Sequence, residues 1–172
     1  MPSPQTLATS PTLPEGYSLH AGYPNVTEYC RLRRESGLTP KSEVQAAPIP
    51  QGSWYGCYIS FTPASSTAST AVAMGRIIGD GGWYFHIADM ATLPGHQKKG
   101  FGKAILRELL GYIKTNAPVG EGAEPYVTLL ADGPGRKLYQ GFGFEETAPR
   151  TVGMSLPKGW WRDEVQEKEV DA

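Results

Sequence analysis

Residues 89–102 read Asp-Met-Ala-Thr-Leu-Pro-Gly-His-Gln-Lys-Lys-Gly-Phe-Gly, and this stretch joins a strand to a helix. Upstream, residues 83–93 are rich in aromatic, β-branched and other apolar side chains, which predicts a strand that ends before Pro94. Downstream, apolar residues recur every four positions, which predicts an amphipathic helix over residues 99–115. The first N–H groups of such a helix have no internal acceptor, and the helix dipole adds partial positive charge beside them. The stretch therefore predicts an anion-binding turn.

The turn itself, Gln97–Gly102, has the pattern QxxGxG. Glycine at positions 100 and 102 allows a phosphate to approach the backbone without meeting a Cβ atom. Three lysines surround the turn: Lys98, Lys99 and Lys103. A P-loop and a dinucleotide-binding GxGxxG motif both fail on spacing, because Phe101 and Ile105 stand where those motifs need other residues. A pyrophosphate cradle and a plain helix start with solvated lysines both remain open on these residues.

The rest of the chain predicts an antiparallel meander, then a β-α-β unit, then a short helix and an edge strand. Further strands are predicted at residues 17–20, 54–61, 71–78, 126–131 and 151–156, and further helices at 26–34, within 40–47 and at 136–140. The polar segment 62–70 is predicted to be a long hairpin loop, and Gly79-Asp80-Gly81-Gly82 a tight turn.

Composition limits the classes of function. The chain has 172 residues with 40% hydrophobic content, which favours one domain, expected at residues 15–161 between a flexible leader (1–14) and a charged tail (162–172). A net charge of −1 gives no global field for nucleic acid, and no apolar run is long enough to span a membrane. Two cysteines and three histidines show no metal-ligand spacing, so we expect a metal-free, cytoplasmic protein.

Two separated motifs identify a resemblance. Residues 89–102 resemble the acetyl-CoA signature of the GNAT superfamily (GCN5-related N-acetyltransferases), and Leu-Tyr-Gln-Gly-Phe-Gly-Phe at 138–144 resembles its second signature. The resemblance is strong from about residue 71 to 156 and weak in residues 15–60. It implies a mixed α/β fold, in which a twisted, mostly antiparallel sheet of six to seven strands is flanked by about four helices. It also implies acetyl-CoA as co-substrate.

The resemblance further implies a cofactor site made mostly of backbone. The pantetheine arm would pair with strand four near a bulge, at Met90, Ala91, Thr92 and Leu93, while amides of Gln97 to Gly102, with Lys103, would hold the pyrophosphate. The family often carries an asparagine seven residues before its tyrosine, and here that position is Asp132. The resemblance therefore implies no asparagine contact to the cofactor from that loop.

For the chemistry, Tyr139 matches the family's acid for the leaving thiolate, although a tyrosine packed in the core is the plainer interpretation. The carbonyl would be polarised by a backbone N–H near Met90 or Ala91. Removing the proton from the amine requires a base, and Asp89 is the first candidate and His86 the second. In a regular strand these two side chains face opposite sides, unless a bulge intervenes.

The predicted acceptor is a small primary amine. A protein or peptide acetyltransferase and a non-catalytic acetyl-CoA sensor are the alternatives, and a homodimer is left open. Six aromatic residues on neighbouring strands offer a wall for the acceptor by cation–π contact, although core packing is their commoner role. They are Trp54, Tyr55, Tyr58, Trp83, Tyr84 and Phe85.

Overall fold

The computed structural model describes residues 12–156, so the predicted leader lies mostly, and the predicted tail entirely, outside the described residues. Its five strands are β1 (Tyr17–Ala21), β2 (Tyr55–Phe61), β3 (Thr70–Gly79), β4 (Tyr84–Thr92) and β5 (Tyr126–Leu129). Its four α-helices are α1 (Val26–Glu35), α2 (Glu43–Ala46), α3 (Phe101–Asn116) and α4 (Arg136–Gln140), and short 3₁₀ turns lie at Pro94–His96 and Gly133–Gly135. The predicted mixed α/β class with four helices is confirmed.

The five strands form one sheet in the order β1-β2-β3-β4-β5. The first four are antiparallel neighbours, and β5 runs parallel to β4 after the crossover through α3. The predicted hairpin loop connects β2 to β3, and the predicted glycine turn connects β3 to β4 with Gly81 at a φ of 75°. The meander followed by a β-α-β unit is therefore as predicted.

The predicted strand count of six to seven is too high for the described part of the chain. The strand predicted at residues 151–156 is absent there, and β5 ends at Leu129 instead of residue 131. The apolar side chains that suggested the last strand, Val152, Met154 and Leu156, are 65%, 92% and 63% exposed. Because no sheet face buries these side chains, their alternation has nothing to stabilise it as a strand.

The two faces of the sheet carry different helices. A Cβ at Gly75 on β3 would meet Ile105 and Leu109, so this face of the sheet packs against α3. The neighbouring residue Arg76 points to the other face, where its guanidinium reaches Asp89 in a cluster that includes side chains of α1. The core fills the space between α3 and the sheet, with Ile105 and Leu109 fully buried.

Helix α1 begins at a defined cap. The Asn25 side chain accepts a hydrogen bond from the Glu28 N–H at 2.9 Å, which satisfies one of the unpaired first-turn donors. Tyr29 and Leu32 are buried, and they set the rotation of the helix against the sheet. Tyr29 and Arg33 lie one turn apart and so share a face. Within residues 12–156, no helix has the length and apolar character to cross a bilayer.

Candidate active site

Strands β4 and β5 separate partway along β4. Their pairing ends at Ile87 opposite Leu129, whereas β4 continues to Thr92 and stays paired with β3 there, at Ala73. Residues 88–92 therefore keep one edge bonded to β3, and no strand within residues 12–156 pairs with their other edge. Because the edge of a strand is made of peptide groups, the backbone of this segment faces the gap, and the side chains of Ala91 and Leu93 are buried. This is the arrangement that a backbone-binding site for a pantetheine arm requires.

An open cleft of about 410 Å³ lies next to the gap, at the N-terminus of α3. Seven predicted cofactor-binding residues line it: Thr92, Gln97, Lys98, Gly100, Phe101, Gly102 and Lys103. The Gln97 side chain donates to the Thr92 carbonyl at 3.2 Å, and this bond ties the turn to the end of β4. Leu138 completes the lining, and it was not predicted from the sequence.

The backbone of the turn explains its glycines. Lys98 and Gly100 both adopt positive φ, at 61° and 83°, and together they turn the chain into α3. A Cβ at Gly100 would meet nothing within 4 Å, whereas one at Gly102 would lie 3.2 Å from Leu138 Cδ2. Gly100 is therefore required for backbone conformation, and Gly102 keeps the helix start close to α4. The exposed lysines add positive charge around the unpaired amides.

Tyr139 lies on α4 directly after Leu138, with its ring over Gly135. A Cβ at Gly135 would come within 3.0 Å of Tyr139 Cε2, so the glycine leaves room for the ring. Phe144 packs edge-on against the same ring, with the centroids 6.1 Å apart. Burial, and then the charge of Asp132, raise the pKa of Tyr139 above 10, so the phenol keeps its proton at neutral pH. No hydrogen bond to its hydroxyl is found within residues 12–156.

Asp89 lies at a β-bulge in the middle of β4. The register shifts between Met74 opposite Ala91 and Arg76 opposite Ala88, and Asp89 itself has a φ of 55°. Its carboxylate accepts hydrogen bonds from Arg76 Nε at 2.5 Å, from Arg33 Nη1 and from the Tyr29 hydroxyl. Burial alone would raise the pKa of Asp89, but these donors outweigh it and lower the pKa below its usual value.

The bulge also brings Asp89 to the face of the sheet that carries His86. Because two residues of β4 stand opposite one of β3, His86 and Asp89 lie on the same face, although they are three apart. His86 Nδ1 lies 3.0 Å from Thr128 Oγ1, and that hydroxyl donates to the Phe85 carbonyl at 3.4 Å. Burial, and then the charge of Arg76, lower the pKa of His86 below 6.5, so the imidazole is neutral at pH 7.

The aromatic residues occupy other parts of the molecule. Trp54 packs against Phe85 and Tyr112, and Tyr55 stacks on Tyr112 at 3.7 Å. Tyr112 belongs to the C-terminal part of α3, at the end of the helix opposite the cleft. Trp83 and Tyr84 contact Tyr126 where β4 and β5 begin, and Tyr58 stacks on His20. These side chains build the core and an exposed edge and do not line the cleft.

The partners of Asp89 and His86 were not predicted from the sequence, although one signal was available. Arg76 is a charged residue inside a β3 sequence that is otherwise apolar or small, and a charge in such a strand requires a partner. Nothing in the sequence marks Thr128. Among the described residues, no cluster of histidine, cysteine and carboxylate side chains is arranged to hold a metal ion.

Comparisons with known proteins agree with this geometry. The family model described as an acetyltransferase (GNAT) domain matches residues 64–146. No curated protein matches the chain by sequence. A crystal structure from meticillin-resistant Staphylococcus aureus, described as a protein of unknown function and probable acetyltransferase, is 31% identical, with a TM-score of 0.71. That match covers 82% of this chain and 98% of the other.

Two further structures share the fold at lower identity. A GNAT-family acetyltransferase from Streptococcus pneumoniae is 19% identical, with a TM-score of 0.63 over 83% of this chain and 98% of the other. The ribosomal-protein-S18-alanine N-acetyltransferase of Escherichia coli is 15% identical, with a TM-score of 0.58 over 77% and 79%. The family model, the 31% identical structure and the two signatures at 89–102 and 138–144 lead to one conclusion. The chain belongs to the GNAT family of acetyltransferases.

Proposed function

We propose that this protein is an acetyl-CoA-dependent N-acetyltransferase whose acceptor is a small primary amine. The observation that carries the proposal is the position of the open β4 edge next to the cleft at the start of α3. An edge of free peptide groups can bind an amide-containing arm, and the adjacent helix start can bind a diphosphate. A ligand that has both parts in sequence fits this pair of sites.

The residues present fit acetyl-CoA. The pyrophosphate would be held by the amides at the start of α3, with Lys98 and Lys103 beside them, and Gly100 leaves open space where a side chain would intrude. The pantetheine arm would pair with the backbone of residues 90–93. When bound, acetyl-CoA supplies an acetyl group activated as a thioester. Leu138 bounds the cleft beside Gly102, so α4 borders the proposed pyrophosphate site.

Tyr139 is the proposed hydrogen-bond donor to the leaving sulfur. Its raised pKa keeps the proton on the phenol oxygen, as a donor requires. A thiol has a reference pKa of about 8.5 against about 10 for tyrosine, so full transfer of the proton is uphill by about 2 kcal/mol. Tyr139 therefore acts by donating a hydrogen bond and does not need to lose its proton.

For removal of the amine proton, the contacts favour His86 over Asp89. His86 is neutral at pH 7, and if Thr128 donates to Phe85 then Nδ1 carries the imidazole proton and Nε2 has the free lone pair. Asp89 is already bound by two guanidinium groups, which weakens it as a base. The sequence-based assignment of Asp89 as the base stays a prediction that only kinetics can test.

The proposed acceptor class rests on net charge and domain content. A net charge of −1 and a single described domain favour a small amine over a nucleic-acid-associated protein substrate. Asp89 does not add the attraction for an ammonium group that its position suggested, because Arg33 and Arg76 more than neutralise it. The proposal of a small amine therefore does not include a preference for polycations.

A thiol-release assay tests the proposal directly. The protein is incubated with acetyl-CoA and with arylalkylamines, polyamines, amino sugars and lysine-containing peptides in turn. We expect turnover with at least one small amine. A peptide with a kcat/KM one hundredfold above every small amine would reassign the acceptor to protein. Calorimetric binding of acetyl-CoA without turnover of any amine would favour the sensor alternative.

A further inference from the structure

The bulge in β4 is held in place by charge. Asp89 adopts a left-handed backbone conformation, which aspartate tolerates better than most residues but which still needs support from its surroundings. That support comes from three donors on two other elements. Tyr29 and Arg33 reach the carboxylate from α1, and Arg76 reaches it from β3.

Further hydrogen bonds hold the two arginines around Asp89 in place. Arg33 also donates from Nε and Nη2 to the Thr39 carbonyl, at 3.1 and 2.9 Å, and Arg76 donates from Nη1 to Ser53 Oγ at 2.9 Å. The side chains of Arg33, Asp89 and Arg76 are only 11%, 9% and 15% exposed. Charge-assisted hydrogen bonds in such a place are strong and directional, so each guanidinium is fixed on two sides.

The bulge is also the feature that orients the site. It places Asp89 on the α1 face together with His86 and directs the Met90 side chain toward α3, where its Sδ would lie 2.6 Å from a Cβ at Gly75. Met90 and Ala91 follow the bulge directly and lie where β4 has left β5. Any change in the backbone at Asp89 therefore reorients the peptide groups that face the gap.

We propose that Asp89 is a positioning residue: with Arg33 and Arg76 it clamps the β4 bulge to α1 and β3, and so fixes the backbone N–H groups of Met90 and Ala91. This inference rests on the proposed function, because that function is what gives these N–H groups a role in the reaction. It assigns Asp89 no proton transfer, because both carboxylate oxygens already accept hydrogen bonds, from Tyr29 and the two arginines. The clamp also makes α1 part of the active-site framework.

The first test is structural and needs no substrate. Asp89→Asn keeps the shape and the tolerance for positive φ but removes the charge, and Tyr29→Phe removes one donor. Glu35→Gln is the matched control, since it likewise turns a carboxylate into an amide. Glu35 lies on α1 and forms an exposed pair with Arg34. We expect NMR-detected amide exchange of residues 89–92 to rise about tenfold or more in Asp89→Asn, less in Tyr29→Phe and not in the control. Unchanged exchange in Asp89→Asn would overturn the clamp.

The second test separates a positioning residue from a base. The groups that face Asp89 are Tyr29, Arg33, Arg76 and His86, and the variants leave His86 intact. We expect Asp89→Asn to lower kcat about 10 to 100-fold at every pH while the acidic limb of the profile is retained and moves to lower pH, because the Asp89 charge raises the pKa of His86. Loss of that limb with amide exchange unchanged would make Asp89 the base and overturn the proposal.

A double-mutant cycle completes the experiment. Arg33→Gln should raise the exchange of residues 89–92 as Asp89→Asn does, and the double variant should exceed the larger single effect by less than twofold. Independent, multiplying effects would contradict a shared clamp. If the wild-type protein neither binds acetyl-CoA nor turns over any amine, the proposed function fails, while the exchange measurements still decide whether the clamp exists.

Discussion

His86 on β4 and Thr128 on β5 are directly paired across the sheet, and His86 Nδ1 lies 3.0 Å from Thr128 Oγ1. The threonine hydroxyl also lies 3.4 Å from the Phe85 carbonyl, to which it donates. If the hydroxyl gives its proton to this carbonyl, it can only accept from the imidazole. This pair therefore favours the tautomer in which His86 Nε2 is free to take a proton.

The first prediction is that kcat falls at acidic pH because His86 becomes protonated. The pKa of His86 is lowered below 6.5, so the base is active at pH 7 and activity is lost only as the pH falls below 6.5. We expect His86→Gln to remove this limb and to lower kcat about 100-fold. The measurement is kcat against pH with two acceptors of different amine pKa. A limb that reports a group of the enzyme stays at the same pH when the acceptor changes, whereas one that reports the acceptor amine moves.

Two variants serve as controls for this prediction. His96 also has a lowered pKa, but it bonds to the Tyr17 hydroxyl at 2.9 Å, away from the β4 bulge, so His96→Gln should leave the limb unchanged. Thr128→Ser should keep the profile, and Thr128→Val should reduce kcat. An unaltered profile in His86→Gln would return the role to Asp89 or to ordered water.

The second prediction concerns the start of α3. Gly102→Glu puts a carboxylate into the cleft beside the unpaired amides, so we expect the affinity for acetyl-CoA to fall more than tenfold, or about 1.4 kcal/mol. Gly102→Ala tests size alone, since its Cβ would lie 3.2 Å from Leu138. Gly95→Glu adds the same charge in the preceding turn, where there is open space, and should have a smaller effect. Calorimetric titration measures all three, and equal affinities would rule out the cradle.

The strand-to-helix junction was predictable because its signals are local. The glycines, the lysines and the four-residue apolar repeat all lie in one continuous stretch, and the structure places α3 at Phe101–Asn116 against a predicted 99–115. The strand at 151–156 was wrong for the opposite reason. Its alternation is also local, but a strand needs a partner edge, and that depends on the rest of the sheet.

The side chains around Asp89 show why the site could be predicted only in part from the sequence. The carboxylate was identified from its place on β4, but its role depends on Tyr29 and Arg33, which are 60 and 56 residues away in sequence. No local pattern gives contacts over such separations. The bulge is equally non-local, because it is a register shift between β3 and β4, and it alone decides that His86 and Asp89 share a face.

The third prediction is a chemical defect in Tyr139→Phe. Because the proposed role of the hydroxyl is to donate to the leaving sulfur, we expect turnover to fall about 10 to 1000-fold with little change in acetyl-CoA affinity. Tyr126→Phe removes a hydroxyl from an exposed tyrosine on β5 and should be neutral. Asp132→Asn removes a charge that raises the pKa of Tyr139, so any basic limb should move to lower pH. Single-turnover rates decide the case, and an unchanged rate in Tyr139→Phe would make it a packing residue.

The last prediction concerns the glycine opposite the bulge. A Cβ at Gly75 would lie 2.6 Å from both Ile105 Cγ2 and Met90 Sδ, and 3.1 Å from Leu109 Cδ1. Met90 can move its flexible side chain, but Ile105 is fully buried in α3, so Gly75→Ala should destabilise the protein by about 1–3 kcal/mol. Gly111→Ala is the matched control, because position 111 is an exposed site in α3 with nothing within 4 Å, and there alanine should stabilise by up to about 1 kcal/mol. Chemical denaturation measures both.

Met90 adjoins the open β4 edge, so Gly75→Ala should also weaken acetyl-CoA binding, whereas Gly111→Ala should not. Wild-type stability in Gly75→Ala would mean that α3 and the sheet are less tightly packed at the bulge than these distances require.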